Sequence, residues 1–364
     1  MHLLTINVGS SSVRLSVYAE DSHCLASAHH SGSEVKIEEW ISPLLSQAGI
    51  DRIAAVGHRI VHGGKRFSSA CRIDAAVYAA LEQLTELAPL HMPPALAWVK
   101  ACTRHFGPGV AQVAVFDTAY FTTLPPVAQA YALPRQLVSK YGLHRYGFHG
   151  LAHQTLWRQW QARAGLDAVG QRVISLQLGS GCSIAAILDG APQDISMGFT
   201  PLEGLVMATR SGDVDPGAVL YLQRQLGLSP AQTEALLNDQ SGLLGMSGIS
   251  ADMRELLDSS EPAAKSAVEL YCYRARKYLG AFMSVLGGVD AILFGGGVGE
   301  NGPAIRARIL SGLEWAGVRL HAAQNAGAIA PARFDATGST VQLWALPVDE
   351  SQLVAEETRA ALRS

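Results

Sequence analysis

LLTINVGSSSVRLSVY, at residues 3–18, is the stretch from which the fold class follows. Residues 3–8 and 13–18 are rich in apolar and β-branched side chains, which favour strands. The Gly-Ser turn at 9–12 lies between them. Two strand patterns on either side of a short glycine-containing turn predict a β-hairpin.

The same arrangement occurs again in the second half of the chain. Residues 173–178 (VISLQL) and 183–188 (SIAAIL) predict two strands around Gly179-Ser180-Gly181. The four residues at 7–10 align with those at 177–180 without a gap. We infer an internal duplication, because each hairpin is followed by similar predicted elements.

After each hairpin, short apolar runs alternate with helical patterns. Further strands are predicted at 54–56, 113–116, 291–294 and 341–346, and helices at 74–87, 151–163, 265–286, 303–315 and 350–362. This alternation predicts an α/β fold in which mixed sheets are covered by helices. Pro125-Pro126 breaks the pattern, so the boundary between the halves is expected near 118–125.

Composition excludes several classes of protein. The chain has 364 residues, 48% of them hydrophobic and 16% charged, which is enough material for two cores. A net charge of -3 gives no sign of a nucleic-acid or membrane partner. The five cysteines are scattered and form no CxxC pair, as in reduced cytoplasmic proteins. No signal-peptide pattern and no membrane-spanning apolar run is recognised, so a cytoplasmic location is expected.

Three segments carry residue types that suit anion binding. The hairpin turn before Arg14 can form a phosphate-binding nest, or it is an ordinary polar turn. Arg59 follows a strand and precedes a double glycine, where its planar fork suits a carboxylate or phosphate, or it is a surface arginine. Residues 295–302 (GGGVGENG) follow a strand like a nucleotide loop. The acid that a dinucleotide site needs is missing from the next strand, and no P-loop motif occurs.

Other segments carry acid and imidazole groups. Asp117 ends an apolar strand, where it can be a base, a metal-linked carboxylate or a helix N-cap. His149 and His153 are four residues apart, but no third ligand accompanies them, so zinc is disfavoured. His149 is then either a cleft histidine or a structural one. Arg210 lies in a loop rich in Gly and Asp, whose acids either touch a metal or hold the arginine.

Taken together, these segments resemble the acetate kinase family of the acetate and sugar kinase/chaperone/actin superfamily. Eight motifs occur in family order: HRIVHGG, LAPLHMPP, FDTAY, YGFHG, MGFTPLEG, TRSGDVDP, SGLLGMSGIS and GGVGEN. The resemblance covers essentially the whole chain. It implies two duplicated ribonuclease H-like domains with an interdomain cleft, divided into residues 1–120 plus 352–364 and residues 121–351.

The resemblance also implies an activity and partners. The reaction is reversible, Mg²⁺-dependent transfer of the ATP γ-phosphate to acetate, giving acetyl phosphate and ADP, with Mn²⁺ as an alternative metal. A homodimer is implied as well. Because a carboxylate is already ionised near pH 7, a positioning role for Asp117 is favoured over proton abstraction.

Residue roles are carried over by position. The catalytic group comprises Asp117, His149 and Arg210. The substrate group comprises Arg59, His91 and the apolar residues Val61, Leu90, Phe148 and Pro201. The ATP group comprises Ser10, Ser12, Arg14, Gln177, Leu178, Gly179, Ser180, Gly181, Asp252, Met253, Arg254, Gly297, Val298, Gly299, Glu300 and Asn301. The metal group comprises Asn7 and Glu350.

The chain departs from the family pattern at a few of these positions. Arg14 replaces the usual lysine, Gln177 and Ser180 alter the loop that usually has the sequence His-Leu-Gly-Asn-Gly, and Phe121 replaces a histidine. These changes leave open a different phosphoryl donor, a reduced rate or a non-catalytic nucleotide-binding protein. The presumed catalytic core is complete, so an active enzyme is expected.

Two further alternatives concern the substrate. Propionate kinase would use the same chemistry, but the β-branched Val61 is expected to crowd a longer acyl chain, which favours acetate. A hydrolase or sugar kinase of the same superfamily is disfavoured by the matched charged and polar positions.

Overall fold

The computed structural model describes residues 2–9, 12–164 and 170–363. The chain forms two compact units. The first unit consists of Met1–Thr122, Phe148–Leu151 and Asp349–Ser364, and the second of Thr123–Gly147 and Ala152–Val348. The C-terminal helix therefore belongs to the unit that contains the N terminus.

The strands of the described segments form two sheets. In chain order they are β1 (Leu3–Val8), β2 (Ser12–Tyr18), β3 (Cys24–Ser31), β4 (Ala55–Ile60), β5 (Cys71–Arg72), β6 (Ala111–Phe116), β7 (Arg172–Leu178), β8 (Cys182–Leu188), β9 (Ala191–Ile195), β10 (Ala291–Gly295), β11 (Ala332–Arg333) and β12 (Gln342–Ala345).

Helices flank the sheets. In chain order they are α1 (Ser42–Gln47), α2 (Ala75–Gln83), α3 (Met92–Phe106), α4 (Pro126–Gln129), α5 (Arg135–Tyr141), α6 (Gly150–Ala164), α7 (Pro216–Leu226), α8 (Pro230–Asp239), α9 (Gly242–Ser247), α10 (Met253–Asp258), α11 (Pro262–Leu286), α12 (Gly296–Asn301), α13 (Pro303–Leu310), α14 (Ala322–Ala326) and α15 (Glu350–Arg363). Shorter 3₁₀ and π segments lie at Ile37–Ile41, Leu84–Leu87, Ala119–Thr123 and Glu314–Ala316. Within the described part of the chain, no helix combines the length and apolar character needed to cross a membrane.

The first sheet has the order β3-β2-β1-β4-β6-β5. Strands β1, β4 and β6 run parallel, whereas β2, β3 and β5 pair antiparallel with their neighbours. The parallel strands are almost entirely buried, as expected where helices cover both faces of a sheet. Helix α15 packs on one face through Leu353 and Val354 against Val113. On the other face, α3 contributes Trp98, which packs in the cluster that contains Leu4.

The second sheet repeats the first. Its order is β9-β8-β7-β10-β12-β11. Strands β7, β10 and β12 are parallel, and β8, β9 and β11 are antiparallel to their neighbours. Each strand thus matches one of the first sheet in order and direction. The predicted α/β fold, with two duplicated mixed sheets flanked by helices, is confirmed.

Several predicted element boundaries differ from the structure. The helix predicted at 303–315 ends at Leu310, because Gly312 adopts a left-handed φ of 80°. The helix predicted at 74–87 ends at Gln83 and continues as a 3₁₀ segment. The strand predicted at 54–56 extends to Ile60.

Other elements were not predicted. The main omissions are β3, β5, β9, β11, α3, α7 and α8. The missed strands lie away from the buried centres of the sheets, and β3 exposes several of its side chains. Edge strands form because a neighbour supplies hydrogen bonds, so their own sequences carry a weak signal.

Candidate functional site

Polar side chains meet at the carboxyl end of the first sheet. Asn7 lies near the end of β1, Arg59 near the end of β4, and Asp117 directly after β6. These strands are parallel neighbours, so their carboxyl ends lie side by side, where α/β sheets usually bind ligands. Glu350, the first residue of α15, joins them.

Hydrogen bonds link these four residues into one cluster. The Arg59 Nε lies 3.1 and 3.0 Å from the two Asp117 carboxylate oxygens, and Nη2 donates to Oδ2 as well. Arg59 Nη1 donates to Asn7 Oδ1 at 3.0 Å, and Asn7 Nδ2 donates to Glu350 Oε2 at 2.7 Å. Glu350 Oε2 also lies 3.6 Å from Arg59 Nε. The Asn7–Glu350 bond joins residues 343 positions apart in the chain.

The cluster is buried and carries more negative than positive charge. The side chains of Asp117 and Arg59 are 1% and 11% exposed. Burial raises the pKa of Asp117 to about 6; the guanidinium of Arg59 opposes this rise and Glu350 adds to it. Burial by itself lowers the pKa of Arg59, but the two carboxylates outweigh it and raise that pKa above its ordinary value. Arg59 therefore stays a cation that faces two acids.

This donor set fits a hard divalent cation. Amide and carboxylate oxygens are the ligands that Mg²⁺ prefers, and the excess negative charge favours a cation. Across residues 2–9, 12–164 and 170–363, no group of three or more His, Cys, Asp or Glu residues is arranged to hold a metal. Mg²⁺ usually completes its coordination with water and substrate phosphates, so a sparse protein contribution is compatible with it.

Contacts fix both the side chain and the backbone of Asp117. Its carboxylate is bound by Arg59. Its backbone carbonyl accepts a hydrogen bond of 3.0 Å from the Gly150 N–H. A Cβ on Gly150 would lie 2.1 Å from that carbonyl oxygen, so only glycine permits this approach. The YGFHG segment is thereby held against the chain that follows β6.

His149 lies within the YGFHG segment and has an unusual backbone conformation. Its φ is 59°, a left-handed conformation that non-glycine residues seldom adopt. Such strain persists only where surrounding contacts hold it, and it is frequent at functional sites. His153, four residues on, is instead fully buried, with its ring nitrogens 2.6 and 2.8 Å from the hydroxyls of Ser175 and Ser183. The two histidines therefore do not form a metal pair.

The residues predicted to contact the substrate differ in how far they are buried. Val61 and Phe148 are buried in the first unit. Leu90 is 53% exposed, and His91 is the N-cap residue of α3. Sequence reasoning assigned no role to His62, which is fully buried with its ring 5.5 Å from that of Phe148, edge to face. Its position in the HRIVHGG motif was the signal that could have found it.

Arg210 belongs to the second unit and is held by a backbone carbonyl. Its Nη1 donates to the oxygen of Pro201 at 3.2 Å, and burial lowers its pKa. The acids that follow it serve other purposes. Asp215 caps α7, and Asp213 accepts hydrogen bonds from the Tyr278 hydroxyl and the Gly204 N–H. Neither holds Arg210.

The turn between β7 and β8 contains the altered phosphate-loop residues. Gly179 N–H donates to the Gly181 carbonyl at 3.1 Å, and Ser180 accepts from the Ala208 N–H at 3.0 Å. Leu178 is fully buried. Gln177 Oε1 is buried and finds no hydrogen-bond donor among the described residues.

The GGGVGEN segment is predicted as a loop that contacts the nucleotide; the loop conformation is wrong, and the nucleotide contact stays a prediction. Residues Gly296–Asn301 form helix α12. Glu300 Oε1 accepts hydrogen bonds of 3.0 Å from the N–H groups of Gly296 and Val348, so that oxygen binds backbone. Within α12, Gly297 and Asn301 are exposed, Val298 is half-buried and Gly299 is buried.

The remaining residues of the predicted ATP group are more scattered. Asp252 caps α10 and forms an ion pair of 2.6 Å with the exposed Arg254, while Met253 between them is buried. Arg14 is exposed on β2, directly opposite Asn7 in the strand register. Ser12, the first residue of β2, accepts the Gly9 N–H at 2.8 Å. Ser10 lies outside the described residues.

Comparison with known proteins identifies a family of similar sequences. The family described as the acetokinase family matches residues 6–356. An acetate kinase from Solibacter usitatus is 45% identical, over 84% of this chain and 75% of its own length.

Solved structures superpose closely on this chain. A crystal structure of the Porphyromonas gingivalis acetate kinase superposes with a TM-score of 0.90 at 37% identity, covering 99% of each chain. A propionate kinase from Francisella tularensis also gives a TM-score of 0.90, at 33% identity over 98% of each chain. This chain therefore belongs to the acetokinase family.

Proposed function

We propose that this protein is an ATP:acetate phosphotransferase, which moves the γ-phosphate of ATP onto acetate and also catalyses the reverse reaction. Membership of the acetokinase family supports the reaction class. The single observation that carries the proposal is the Asn7–Arg59–Asp117–Glu350 cluster at the carboxyl end of the first sheet. It combines a fixed guanidinium with two acids at the usual ligand-binding edge.

Arg59 is the residue that we assign to the substrate carboxylate. A guanidinium has five N–H donors, of which Asp117 and Asn7 take up three. Two donors remain for an anion, and the bound acid fixes the direction in which they point. Asp117 is thus a positioning group for Arg59. Acetate needs no general base, because it is already ionised at neutral pH.

Phosphoryl transfer depends mainly on positioning and on neutralising charge at the equatorial oxygens of the phosphoryl group. We assign that neutralisation to His149 and Arg210. Mg²⁺, or Mn²⁺, would be held by Asn7 and Glu350 and would supply further positive charge to the phosphates. Val61, Leu90, Phe148 and Pro201 would enclose the methyl group, and His91 would complete the substrate contacts.

The nucleotide is assigned to the second unit and to the β1–β2 turn. The backbone groups of the β7–β8 turn, of α10 and of α12 would contact it, and Arg14 would add charge near its phosphates. We also propose that the protein acts in the cytoplasm as a homodimer, in which residues 121–351 form the nucleotide domain. The unpaired state of all five cysteines supports a reducing compartment.

The test is trapping of acyl phosphate with hydroxylamine, using purified protein, Mg-ATP and either acetate or propionate. We expect product that requires the metal and forms with higher kcat/KM for acetate. Asp117→Asn should lower the rate by about 100-fold or more, because Arg59 loses its fixed orientation. Asp335→Asn also removes a carboxylate from an arginine pair (Arg333), and it should leave the rate unchanged.

The outcomes separate the candidates. Higher efficiency with propionate would favour propionate kinase, which the similarity to the Francisella tularensis enzyme makes a specific alternative. One methylene is worth only about 1–3 kcal/mol in such a pocket, so both acids should react to some degree. No acyl phosphate from either acid, with ATP still raising Tm, would contradict the proposal and indicate a nucleotide-binding protein.

A further inference from the structure

A network of three side chains lies in the second unit. The Tyr131 hydroxyl donates to Glu203 Oε2 at 2.5 Å, and Arg145 Nη2 donates to Glu203 Oε1 at 2.6 Å. The Arg145 guanidinium also lies over the Tyr131 ring, 5.7 Å from its centroid. Both oxygens of the Glu203 carboxylate are therefore engaged by this network.

Arg145 extends the network into the backbone. Its Nη1 donates to the carbonyls of Ile195 and Met197 at 3.1 and 3.0 Å, and its Nε donates to the Ala128 carbonyl at 3.2 Å. One guanidinium thus joins the end of β9, the segment after it and helix α4. The planar fork of arginine suits this role, because its N–H groups leave in fixed directions.

The network holds the MGFTPLEG segment closely. The Phe199 N–H donates to the Tyr131 hydroxyl oxygen at 2.8 Å. A Cβ on Gly198 would lie 1.6 Å from Glu203 Oε2 and 2.2 Å from the Tyr131 hydroxyl, so the backbone rests directly on the network. Burial, followed by the Glu203 hydrogen bond, raises the pKa of Tyr131, so the hydroxyl keeps the proton that it donates.

Two groups assigned to phosphoryl transfer depend on this segment. The carbonyl of Pro201 accepts the hydrogen bond from Arg210 Nη1. The carbonyl of Gly198 accepts hydrogen bonds from the N–H groups of Tyr146 and Gly147, at 3.1 and 3.3 Å. Gly147 leads directly into Phe148 and His149 along the chain.

We infer that Tyr131, Glu203 and Arg145 are positioning residues, which set the backbone that orients Arg210 and the segment entering His149. They touch no reacting atom, and their effect passes through the 197–203 segment. The inference rests on the proposed function for its effect on rate, but the ordering of the segment is a property that can be measured separately.

The test compares Glu203→Gln and Tyr131→Phe with a matched control, Asp290→Asn. Asp290 is also a carboxylate paired with an arginine (Arg172 Nη2 at 2.7 Å), but it lies at the amino end of β10. We expect each network variant to lower kcat at least tenfold while KM for Mg-ATP stays within twofold. The control should change neither value. A network variant whose kcat matches that of the control, at equal Tm, would overturn the inference.

Amide hydrogen exchange provides a readout that is independent of activity. The N–H groups of Phe199, Tyr146 and Gly147 should exchange at least tenfold faster in both network variants than in Asp290→Asn. Unchanged exchange at these amides would overturn the inference. If the wild-type protein forms no acyl phosphate, the proposed function fails, and exchange still decides whether the network orders the segment. Tyr131→Phe removes only a hydroxyl and covers the case in which Glu203→Gln does not fold.

Discussion

His58, next to Arg59 on β4, is the residue whose response to pH follows most directly from its surroundings. Its Nε2 lies 2.8 Å from Gln112 Oε1 on β6, and the Gln112 amide nitrogen donates to the Val110 carbonyl. The amide oxygen must therefore accept, so Nε2 is the protonated nitrogen. Burial lowers the pKa of His58 to about 4, against a smaller opposing effect of the Gln112 hydrogen bond.

This shift makes the stability of the protein sensitive to acid. Because the folded-state pKa lies below the ordinary value of 6.5, the unfolded chain binds the proton more tightly. The contribution of His58 to the free energy of unfolding is therefore complete above pH 6.5 and is lost as the pH falls towards 4. Between pH 7 and pH 4, wild type should lose about 3 kcal/mol more than His58→Gln, as measured by urea unfolding.

A second substitution, at an exposed histidine, shows whether replacing any histidine by glutamine changes the loss of stability in acid. His23 is exposed, so His23→Gln should lose the same free energy as wild type between the two pH values. Equal losses in wild type and His58→Gln would contradict the prediction.

At the scale of elements, helix α12 depends on a buried arginine from α13. Arg306 is fully buried, and its Nη1 donates to the carbonyls of Gly299 and Glu300 at 2.8 and 2.7 Å. Its Nε and Nη2 donate to the side-chain and backbone oxygens of Asn325 at 2.8 and 2.9 Å. Carbonyls in the last turn of a helix lack intrahelical hydrogen-bond donors and carry partial negative charge. A guanidinium supplies both the missing N–H donors and a compensating positive charge.

Arg306→Met should therefore lower the free energy of unfolding by about 3 kcal/mol or more, because several buried carbonyls lose their donors. Helix α12 carries Gly297, Val298 and Asn301, which we propose to contact ATP. KM for Mg-ATP should therefore rise about tenfold, while KM for acetate stays unchanged. Steady-state kinetics and thermal unfolding would measure both effects.

The matched control is Arg276→Met. Arg276 also donates to carbonyls at the end of a helix, those of Arg308 and Ile309 in α13, but it is only half-buried. This variant should lose less stability and keep KM for Mg-ATP. The same rise of KM in both variants would show that α12 is not the element affected.

At the scale of the whole molecule, helix α7 has an uncovered apolar surface. None of its residues is buried, and Leu220, Tyr221 and Leu226 are 53%, 56% and 62% exposed. Helices normally bury apolar side chains against a neighbour, so exposed apolar side chains on a helix are candidates for burial at an interface. We take a second copy of the chain as the partner that covers α7 in the proposed homodimer.

Light scattering after size exclusion should give about twice the chain mass of 38.6 kDa for the wild type. Leu220→Asp should shift the protein towards the monomer mass, because a carboxylate would be buried at the interface. Ile329→Asp is the matched control, since Ile329 is also an exposed apolar residue of the second unit and should not affect the mass. A monomeric wild type, or a dimeric Leu220→Asp, would contradict this assignment.

Sequence alone determined the central elements of both sheets and the family. The hairpins at 3–18 and 173–188, the buried parallel strands and the long helix near 265–286 all follow local periodicity, which survives into the folded chain because it decides which face is buried. Arg59 and Asp117 were identifiable because each was predicted next to the end of an apolar strand, where α/β sheets place ligands, whereas Asn7 was identified by the family resemblance alone. Edge strands and the end of α13 were less accessible, since neighbours and single glycines decide them.

Only the tertiary structure decided which side chains bind one another. No local pattern shows that Glu350 contacts Asn7, that Glu300 binds backbone N–H groups, or that Arg306 holds α12. Tyr131, Arg145 and Glu203 likewise come from three separate segments. Such contacts depend on strand order and helix packing, which bring distant residues within 3 Å, and a hydrogen bond forms only where both partners are placed and oriented by the whole fold.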